Sequence, residues 1–321
     1  MIDSSQKWGT LSGTSAYLLW GTLPIYWKLL EHIVPQEVLA HRIIWSFVFM
    51  ILIFIVTKRS NHFISECKSI IKKPQLLIGM VLAAALISVN WYTFIWSVSN
   101  DQVLQASLGY YINPLVSVLL GVVYLKEKLL RIQWFSVILA SIAVIILTVS
   151  LGTFPIVAIT LAVSFGLYGL IKKVVSVTAM NGVAIEALLV VPIALSFLVY
   201  QHGISPTVVY MDDMKTFFLL IVSGAATAVP LILFSIGAKR IPLSLLGFLQ
   251  YIAPTMMLLL GIFLYNEVFT ETHFFSFTLI WVALLVFTLS RIRFNKRNLL
   301  RENAVSVTAL TESEPLKKVH P

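Results

Sequence analysis

The chain has 321 residues, a formal net charge of +9, and a composition that is 59% hydrophobic and only 12% charged. With a mean hydropathy of +0.92, it has too little polar surface to cover a soluble globule of this length. The composition therefore excludes an ordinary soluble protein and favours one that crosses a membrane several times.

Ten apolar stretches are long enough to cross a bilayer as helices, for which about 20 residues are needed. The first runs into Trp27 and Lys28 without a small-residue cleavage site, so no cleavable signal peptide is predicted. We therefore expect an all-α, multi-pass protein of the bacterial inner membrane. The predicted spans lie near 8–30, 36–57, 76–98, 103–125, 132–151, 153–171, 182–200, 216–238, 241–265 and 273–290.

Lysine and arginine are unevenly divided between the loops on the two sides of these spans. The loops 58–75 and 126–131 and the tail are rich in them, whereas the loops on the other side hold only Lys215. Because cytoplasmic loops carry the excess of positive charge, both termini are expected in the cytoplasm. This bias and anionic headgroups account for the net charge, so no nucleic-acid partner is expected.

The sequence matches itself at an offset of 140 residues. Five crossings separate the matched segments, so the two copies must run in opposite directions through the membrane. This predicts two inverted five-helix repeats, 8–151 and 153–290, followed by a basic, disordered cytoplasmic tail, 291–321. The match places Tyr111, Ile112, Pro114, Gly121 and Glu127 on Tyr251, Ile252, Pro254, Gly261 and Glu267, and a weaker one at 145 residues places Trp20, Gly21 and Lys28 on Phe165, Gly166 and Lys173.

Two predicted spans carry ionisable side chains at positions where a charge in hydrocarbon is costly. Glu37, His41, Arg42 and Trp45 lie on the second span, and Glu186 lies on the seventh. Arg42, Trp45 and Glu186 are predicted to contact a solute, and Glu186, Glu37 and His41 are the candidate proton carriers. Structural alternatives remain open, namely an interfacial Glu37, an outward-snorkelling Arg42 and a paired Glu186.

Arg42 and Glu186 are expected to form two separate charge sites. If each lies about four to five positions into the membrane, each is about 6–7 Å deep, and the two spans enter from opposite membrane faces. The remaining separation is too large for one salt bridge. Lys172 and Lys173 lie on the same side as Glu186 but are expected at the membrane surface.

Aromatic and amide side chains recur at mid-span in the third, fourth and ninth predicted helices. Amides need hydrogen-bond partners in hydrocarbon, and Pro114 and Pro254 should kink their helices beside a protein-lined or wet cavity. This predicts a central solute pathway, with plain helix packing as the alternative. The predicted lining residues here are Asn90, Trp91, Tyr110, Tyr111, Asn113, Gln250 and Tyr251.

Signatures of phosphate loops and of metal sites are missing from the sequence. It contains no GxxxxGK[ST] loop, no HExxH and no paired His or Cys at metal-ligand spacing, and Cys67 is the single cysteine. No catalytic residue, metal or cofactor is therefore predicted. We expect the protein not to be an enzyme.

Several segments resemble the RarD branch of the EamA drug/metabolite transporters, over roughly residues 8–290. The resemblance implies ten helices in two inverted repeats around a central substrate cavity. By the family's name it also suggests chloramphenicol-type compounds as substrates. The segments that carry it are 16–21 (AYLLWG), 41–46 (HRIIWS), 90–91 (NW), 106–115 (ASLGYYINPL) and 246–255 (LGFLQYIAPT).

Together, these patterns favour a secondary transporter that exports small amphipathic molecules by alternating access. The expected partners are a small-molecule substrate, the lipid bilayer and protons as a candidate coupling ion, and the protein is expected to be a monomer or homodimer. Two alternatives remain: a membrane scaffold or signalling protein, which would not need matched kinks and buried amides, and a lipid-modifying enzyme, which would need a nucleophile–base cluster.

Overall fold

The computed structural model describes residues 4–100, 102–152, 154–204, 213–264, 271–272, 274–290 and 293–294. These ranges contain helices and no strand, which confirms the all-α prediction. The helices are α1 (Ser4–Lys28), α2 (Pro35–Val56), α3 (Ser60–Lys72), α4 (Pro74–Ser99), α5 (Val103–Val123), α6 (Arg131–Leu151), α7 (Ile156–Val174), α8 (Ala179–Ile204), α9 (Met214–Arg240), α10 (Leu243–Gln250), α11 (Ile252–Leu264) and α12 (Phe274–Ser290).

Eight segments of the described chain are long and apolar enough to cross a membrane. They correspond to α2, α4, α5, α6, α7, α8, α9 and the combined range Leu243–Leu264. The other two expected spans are α1, which is not among the eight, and α12, which is apolar but shorter. The count of ten therefore stays a prediction.

Two features of the helix pattern differ from the expected spans. The basic loop 58–75 contains an additional helix, α3. The stretch 241–265 was expected as one helix, but α10 ends at Gln250 and α11 begins at Ile252. Pro254 lacks the N–H that would bond the carbonyl of Gln250, so the helix is interrupted there. Pro114 lies inside α5, which continues through it.

Local chemistry explains several helix boundaries. Pro35 and Pro74 occupy the first turns of α2 and α4, where a missing N–H costs nothing. Gly152 ends α6 with a φ of 71°, a left-handed conformation that suits glycine. At the start of α9, the Asp213 carboxylate accepts from the Lys215 N–H at 3.1 Å.

Large apolar side chains point outward along most of the helices. Examples with more than half of their surface exposed include Ile55, Ile145, Val149, Ile193 and Phe263. A soluble protein would bury such side chains, whereas a bilayer solvates them. The pattern is that of a helix bundle whose outer surface faces lipid.

The interior of the bundle is formed where α1 and α2 pack on α9, α5 packs on α7 and α10, and α4 packs on α7. Two glycines allow close approach. A Cβ added at Gly224 in α9 would lie 2.2 Å from the backbone carbon of Trp45 in α2. One added at Gly247 in α10 would lie 2.8 Å from the carbonyl oxygen of Pro114 in α5. These contacts fix the α2–α9 and α5–α10 crossings.

Candidate functional site

Arg42 lies in α2 with its guanidinium directed at neighbouring helices. Its Nε donates to the Thr227 hydroxyl in α9 at 3.0 Å. Its Cζ lies 4.3 Å from the ring centroid of Trp27 in α1 and 5.5 Å from that of Trp91 in α4. The phenols of Tyr26 in α1 and Tyr110 in α5 also lie within electrostatic range of the guanidinium. Side chains from four other helices therefore surround one cation.

The close α2–α9 contact positions this cation. Ser46, one turn along from Arg42, donates its hydroxyl to the Gly224 carbonyl at 3.0 Å. Thr227 follows less than a turn later on α9, and its own hydroxyl donates to the Ser223 carbonyl at 2.9 Å. This leaves the Thr227 oxygen able to accept from Arg42, so the guanidinium is held at one edge only.

Of the other residues predicted on α2, Trp45 packs edge-on against Phe217 in α9, with ring centroids 6.3 Å apart. Glu37 is almost fully buried, and His41 is partly buried. The prediction that Glu37 and His41 carry protons stays a prediction.

The amides predicted to line the pathway make structural contacts. Asn90 in α4 donates to the Leu161 carbonyl at 2.9 Å and to the Ser164 hydroxyl at 3.0 Å, both in α7. Gln250 in α10 donates to the Ser117 hydroxyl in α5 at 3.1 Å. Asn113 is buried on α5, one turn before Ser117. Asn90 and Gln250 thus tie helices together, whereas the side-chain oxygens of Asn113 and Gln250 are buried without a hydrogen-bond partner among the described residues.

Tyr111 and Tyr251, the most conspicuous pair in the sequence match, lie together in the packed interior. The Tyr251 hydroxyl donates to the Tyr111 carbonyl at 3.3 Å, and Tyr251 is completely buried. The Tyr111 ring packs edge-on against Phe277 of α12 at 5.2 Å. These contacts favour the packing alternative, and a role in lining the pathway stays a prediction.

Glu186 forms a second, separate charge site. Its Oε1 accepts from Lys172 Nζ at 2.7 Å, and its Oε2 accepts from the Tyr168 hydroxyl at 3.0 Å. Lys172 also lies 5.6 Å from the centroid of the Tyr168 ring. The side chains of Lys172 and Glu186 are only 4% and 5% exposed. A compact, buried ion pair therefore joins α7 and α8.

Lys172 was expected at the membrane surface and not as a partner of Glu186. The structure buries its side chain against that carboxylate. Tyr168 and Lys172 are four residues apart and share one face of α7, which turns that face toward α8. The spacing is visible in the sequence, but which neighbour the face meets is not. Arg42 and Glu186 make contacts with different residues, as expected of two separate sites.

Further contacts gather at the same end of the bundle as Lys172, here called the lysine-rich end and defined by Lys126, Lys172, Lys173 and Lys239. Lys173 donates to the carbonyls of Ala238 and Ile241 at 3.1 and 2.5 Å. Lys239 donates to the Val175 carbonyl at 2.8 Å. Lysines thus satisfy carbonyl groups where α7 and α9 end.

Two glutamates complete this end. The Glu127 carboxylate accepts from the N–H groups of Leu243 and Ser244 at 2.6 and 2.9 Å, at the start of α10. An anion at a helix N-terminus is stabilised by the unpaired N–H groups and the helix dipole. Glu66 of α3 accepts from the Thr178 N–H at 2.8 Å and also from Asn181. Both contacts join a segment before residue 152 to one after it.

A central aromatic cluster was missed by the sequence analysis. The rings of Tyr168 and Phe234 stack at 5.8 Å, and neighbouring ring centroids in the cluster lie 5.1–6.2 Å apart. The match at 145 residues pairs Trp20 with Phe165, but aromatic residues are frequent in every span, so no sequence signal brings all five rings together. The cluster joins α1, α7 and α9 and consists of Tyr17, Trp20, Phe165, Tyr168 and Phe234.

Comparison with known proteins decides the family. A relative in Bacillus subtilis, named uncharacterized transporter YojE, is 45% identical over 296 residues, covering 92% of this chain and 98% of that protein. The chain belongs to the EamA-like transporter family. The family model itself matches residues 7–149. The resemblance drawn from the sequence is therefore confirmed.

Other relatives specify the branch. Protein RarD of Escherichia coli is 39% identical over 297 residues, covering 92% of this chain and 99% of that protein. Chloramphenicol-sensitive protein RarD of Pseudomonas aeruginosa is 28% identical, covering 87% and 92%. The chain is thus a RarD member of the EamA drug/metabolite superfamily and a multi-pass transporter of the bacterial inner membrane.

A solved crystal structure has the same fold. It aligns with a TM-score of 0.66 at 18% identity, covering 88% of this chain and 97% of that chain. At this identity, the likeness extends to the fold alone.

Proposed function

We propose that this RarD-type protein is a secondary transporter that exports small amphipathic molecules by alternating access. In this proposal ten helices form two inverted repeats, 8–151 and 153–290, with the lysine-rich end and both termini in the cytoplasm. Family membership and the distribution of lysine support it.

The observation that carries the proposal is a set of hydrogen bonds that joins the two halves of the chain at the lysine-rich end. Glu127 caps α10, and Glu66 holds the segment before α8, through hydrogen bonds that can break without unfolding a helix. Arg42 and its tryptophans lie elsewhere in the bundle. This arrangement suits a state closed toward the cytoplasm, from which breaking these contacts gives the opposite state.

Helix packing supports the proposed inverted repeat. At the 140-residue offset, α4 corresponds to α9, and α5 corresponds to α10 with α11; at the 145-residue offset, α1 corresponds to α7. The packing of α1 on α9 therefore has its counterpart in the packing of α7 on α4. Likewise, the packing of α5 on α7 has its counterpart in the packing of α11 on α1. An inverted pair of repeats generates such reciprocal contacts.

Proton coupling is a separate part of the proposal. Glu186, Glu37 and His41 stay its candidate carriers, and Glu186 is held in an ion pair with Lys172. Uptake into proteoliposomes, with and without an imposed pH gradient, tests this, and a wild-type protein that ignores the gradient would be a facilitator.

A counterflow assay tests the transport function. Liposomes that contain the purified protein are loaded with one unlabelled metabolite of a library, and entry of the same labelled compound is measured. The library includes chloramphenicol, because one relative is named a chloramphenicol-sensitive protein. A saturable, protein-dependent exchange supports the proposal. Failure of every compound to exchange would favour a membrane scaffold or an enzyme.

A cross-link tests the alternating-access step. Glu66→Cys and Thr178→Cys, in a Cys67→Ala background, place two thiols across the contact that joins α3 to α8. A short bifunctional thiol reagent should block exchange in the double variant and in neither single variant. Continued exchange by the cross-linked protein would show that the lysine-rich end need not open.

A further inference from the structure

Arg42 carries a positive charge whose described neighbours supply no negative partner. The Lys172–Glu186 ion pair does not include Arg42. The described side chains around the Arg42 guanidinium are the Thr227 hydroxyl, the indoles of Trp27 and Trp91 and the phenols of Tyr26 and Tyr110, none of which carries a negative charge at neutral pH. A guanidinium inside a span is costly unless it is hydrated or compensated.

Snorkelling toward lipid headgroups does not describe this side chain. Its contacts lie on α1, α4 and α9, so the guanidinium is enclosed by protein on several sides. As a residue, Arg42 is nevertheless only partly buried. Its guanidinium thus lies between helices, among side chains of the bundle.

The free hydrogen-bonding groups of Arg42 define what would fit there. Thr227 occupies the Nε–H, which leaves the four N–H groups of the two Nη atoms without a hydrogen-bond partner among the described residues. Two Nη groups present a planar fork that matches the two oxygens of a carboxylate. The indoles of Trp27 and Trp91, 4.3 and 5.5 Å from Cζ, offer flat apolar faces beside it.

We propose that Arg42, Trp27 and Trp91 form a binding site for the carboxylate of a small planar or aromatic organic acid. The inference rests on the proposed transport function and narrows its substrates to organic anions. A cationic amphiphile would be repelled by Arg42, and a neutral one would leave the guanidinium uncompensated. Among solutes with the same planar apolar group, the charge of Arg42 therefore favours the anion.

Equilibrium binding to the purified full-length protein in detergent tests the site. Calorimetric titration would compare indole-3-acetate, benzoate and 4-hydroxybenzoate with the neutral isostere indole-3-acetamide. We expect saturable binding of at least one carboxylate. For indole-3-acetate, the matched amide should bind about tenfold or more weakly, as expected for a lost charge-assisted hydrogen bond.

Variants of the site sharpen the test. Arg42→Gln should weaken carboxylate binding about tenfold to a hundredfold, whereas Arg42→Lys, which keeps the charge but loses the fork, should fall between it and the wild type. Arg131→Gln removes an exposed cation elsewhere and should leave binding unchanged. The ratio of the wild-type affinities for the carboxylate and the amide is measured without any variant. The test therefore remains decisive even if the Arg42→Gln protein misfolds.

Three results would overturn the inference: equal binding of carboxylate and amide, unchanged binding by a folded Arg42→Gln protein, or no saturable binding of any of the three carboxylates. The counterflow assay separates this from the transport proposal. If only neutral solutes exchange, the anion-site proposal fails and the transport proposal stands. If carboxylates bind in an Arg42-dependent way but no compound exchanges, the transport proposal fails and the anion site stands.

Discussion

At the lysine-rich end, Glu186 and Lys172 neutralise each other at 2.7 Å, and a tyrosine hydroxyl completes the carboxylate's contacts. Arg42, by contrast, lies beside two indole rings, one hydroxyl and the phenols of Tyr26 and Tyr110, and has no carboxylate partner among them. At the 145-residue offset that matches Lys28 with Lys173, Trp27 corresponds to Lys172. One region therefore has a lysine and an acid where the other has an aromatic ring and an unpaired cation.

This difference separates a structural charge from a charge that is available for binding. A compensated pair, once formed, has little left to offer a solute, and either member becomes costly when its partner is removed. An uncompensated cation has the opposite properties, because its removal relieves a cost and its free N–H groups can bind an anion. The two regions should thus respond differently to the same kind of substitution.

The largest expected effect is on the stability of the paired region. Glu186→Gln leaves Lys172 buried without a counter-charge and should lower the free energy of unfolding by about 3–5 kcal/mol. Arg42→Gln should change it by about 1 kcal/mol or less. Thermal or denaturant unfolding of the purified variants measures both.

Adding Lys172→Met to Glu186→Gln should restore much of the lost stability, because no buried charge then remains. Equal destabilisation by Glu186→Gln and Arg42→Gln would remove the distinction between the two regions. A double variant no more stable than Glu186→Gln alone would show that the loss arises from something other than an unpaired lysine.

A smaller loss of stability is expected where Gly224 sets the position of Arg42. Gly224→Ala would bring a methyl group against the backbone of Trp45 and should cost about 1–3 kcal/mol through overpacking. It should also push Arg42 away from Thr227. Gly203, which has open space around it, provides the matched control, since Gly203→Ala should be neutral or slightly stabilising. Similar effects of the two substitutions would mean that α2 and α9 can separate freely.

A more modest effect is expected at the second acid of the lysine-rich end. Glu127→Ala removes the cap of α10 and should cost about 0.5–2 kcal/mol, the range for a lost helix cap. The exposed Glu31 provides a control, as Glu31→Ala should have little effect on unfolding. If Glu127→Ala is as damaging as Glu186→Gln, capping and ion pairing contribute equally to this end.

The smallest effect concerns the reactivity of Cys67 on α3. Partial burial, and then the neighbouring Glu66 carboxylate, raise the pKa of the Cys67 thiol above its usual value. Since the thiolate is the reactive form, maleimide should label Cys67 slowly near pH 7 and faster as the pH rises. Ser65→Cys in a Cys67→Ala background, exposed on the same helix, should react faster at pH 7. Equal rates at pH 7 would mean that α3 shields Cys67 very little.

Much of the fold follows from the sequence because hydrocarbon imposes a simple length and polarity rule on each helix. Eight of the predicted spans are confirmed by helices of suitable length and composition. The break at Tyr251 was harder to predict from the sequence, since Pro254 interrupts its helix while Pro114, at the matched position, does not. The difference depends on how each helix packs, which no local pattern records.

For the site, the sequence by itself determined which side chains would be costly in the membrane, among them Arg42 and Glu186, and predicted that the two would lie at separate places. Only the tertiary structure decided what each one meets. Lys172 becomes the partner of Glu186, and Trp27 becomes the neighbour of Arg42. The physical reason is that the free-energy cost of burying a charge depends on the residue and on its own span. The contacts that offset this cost depend on which face of another helix packs against that residue.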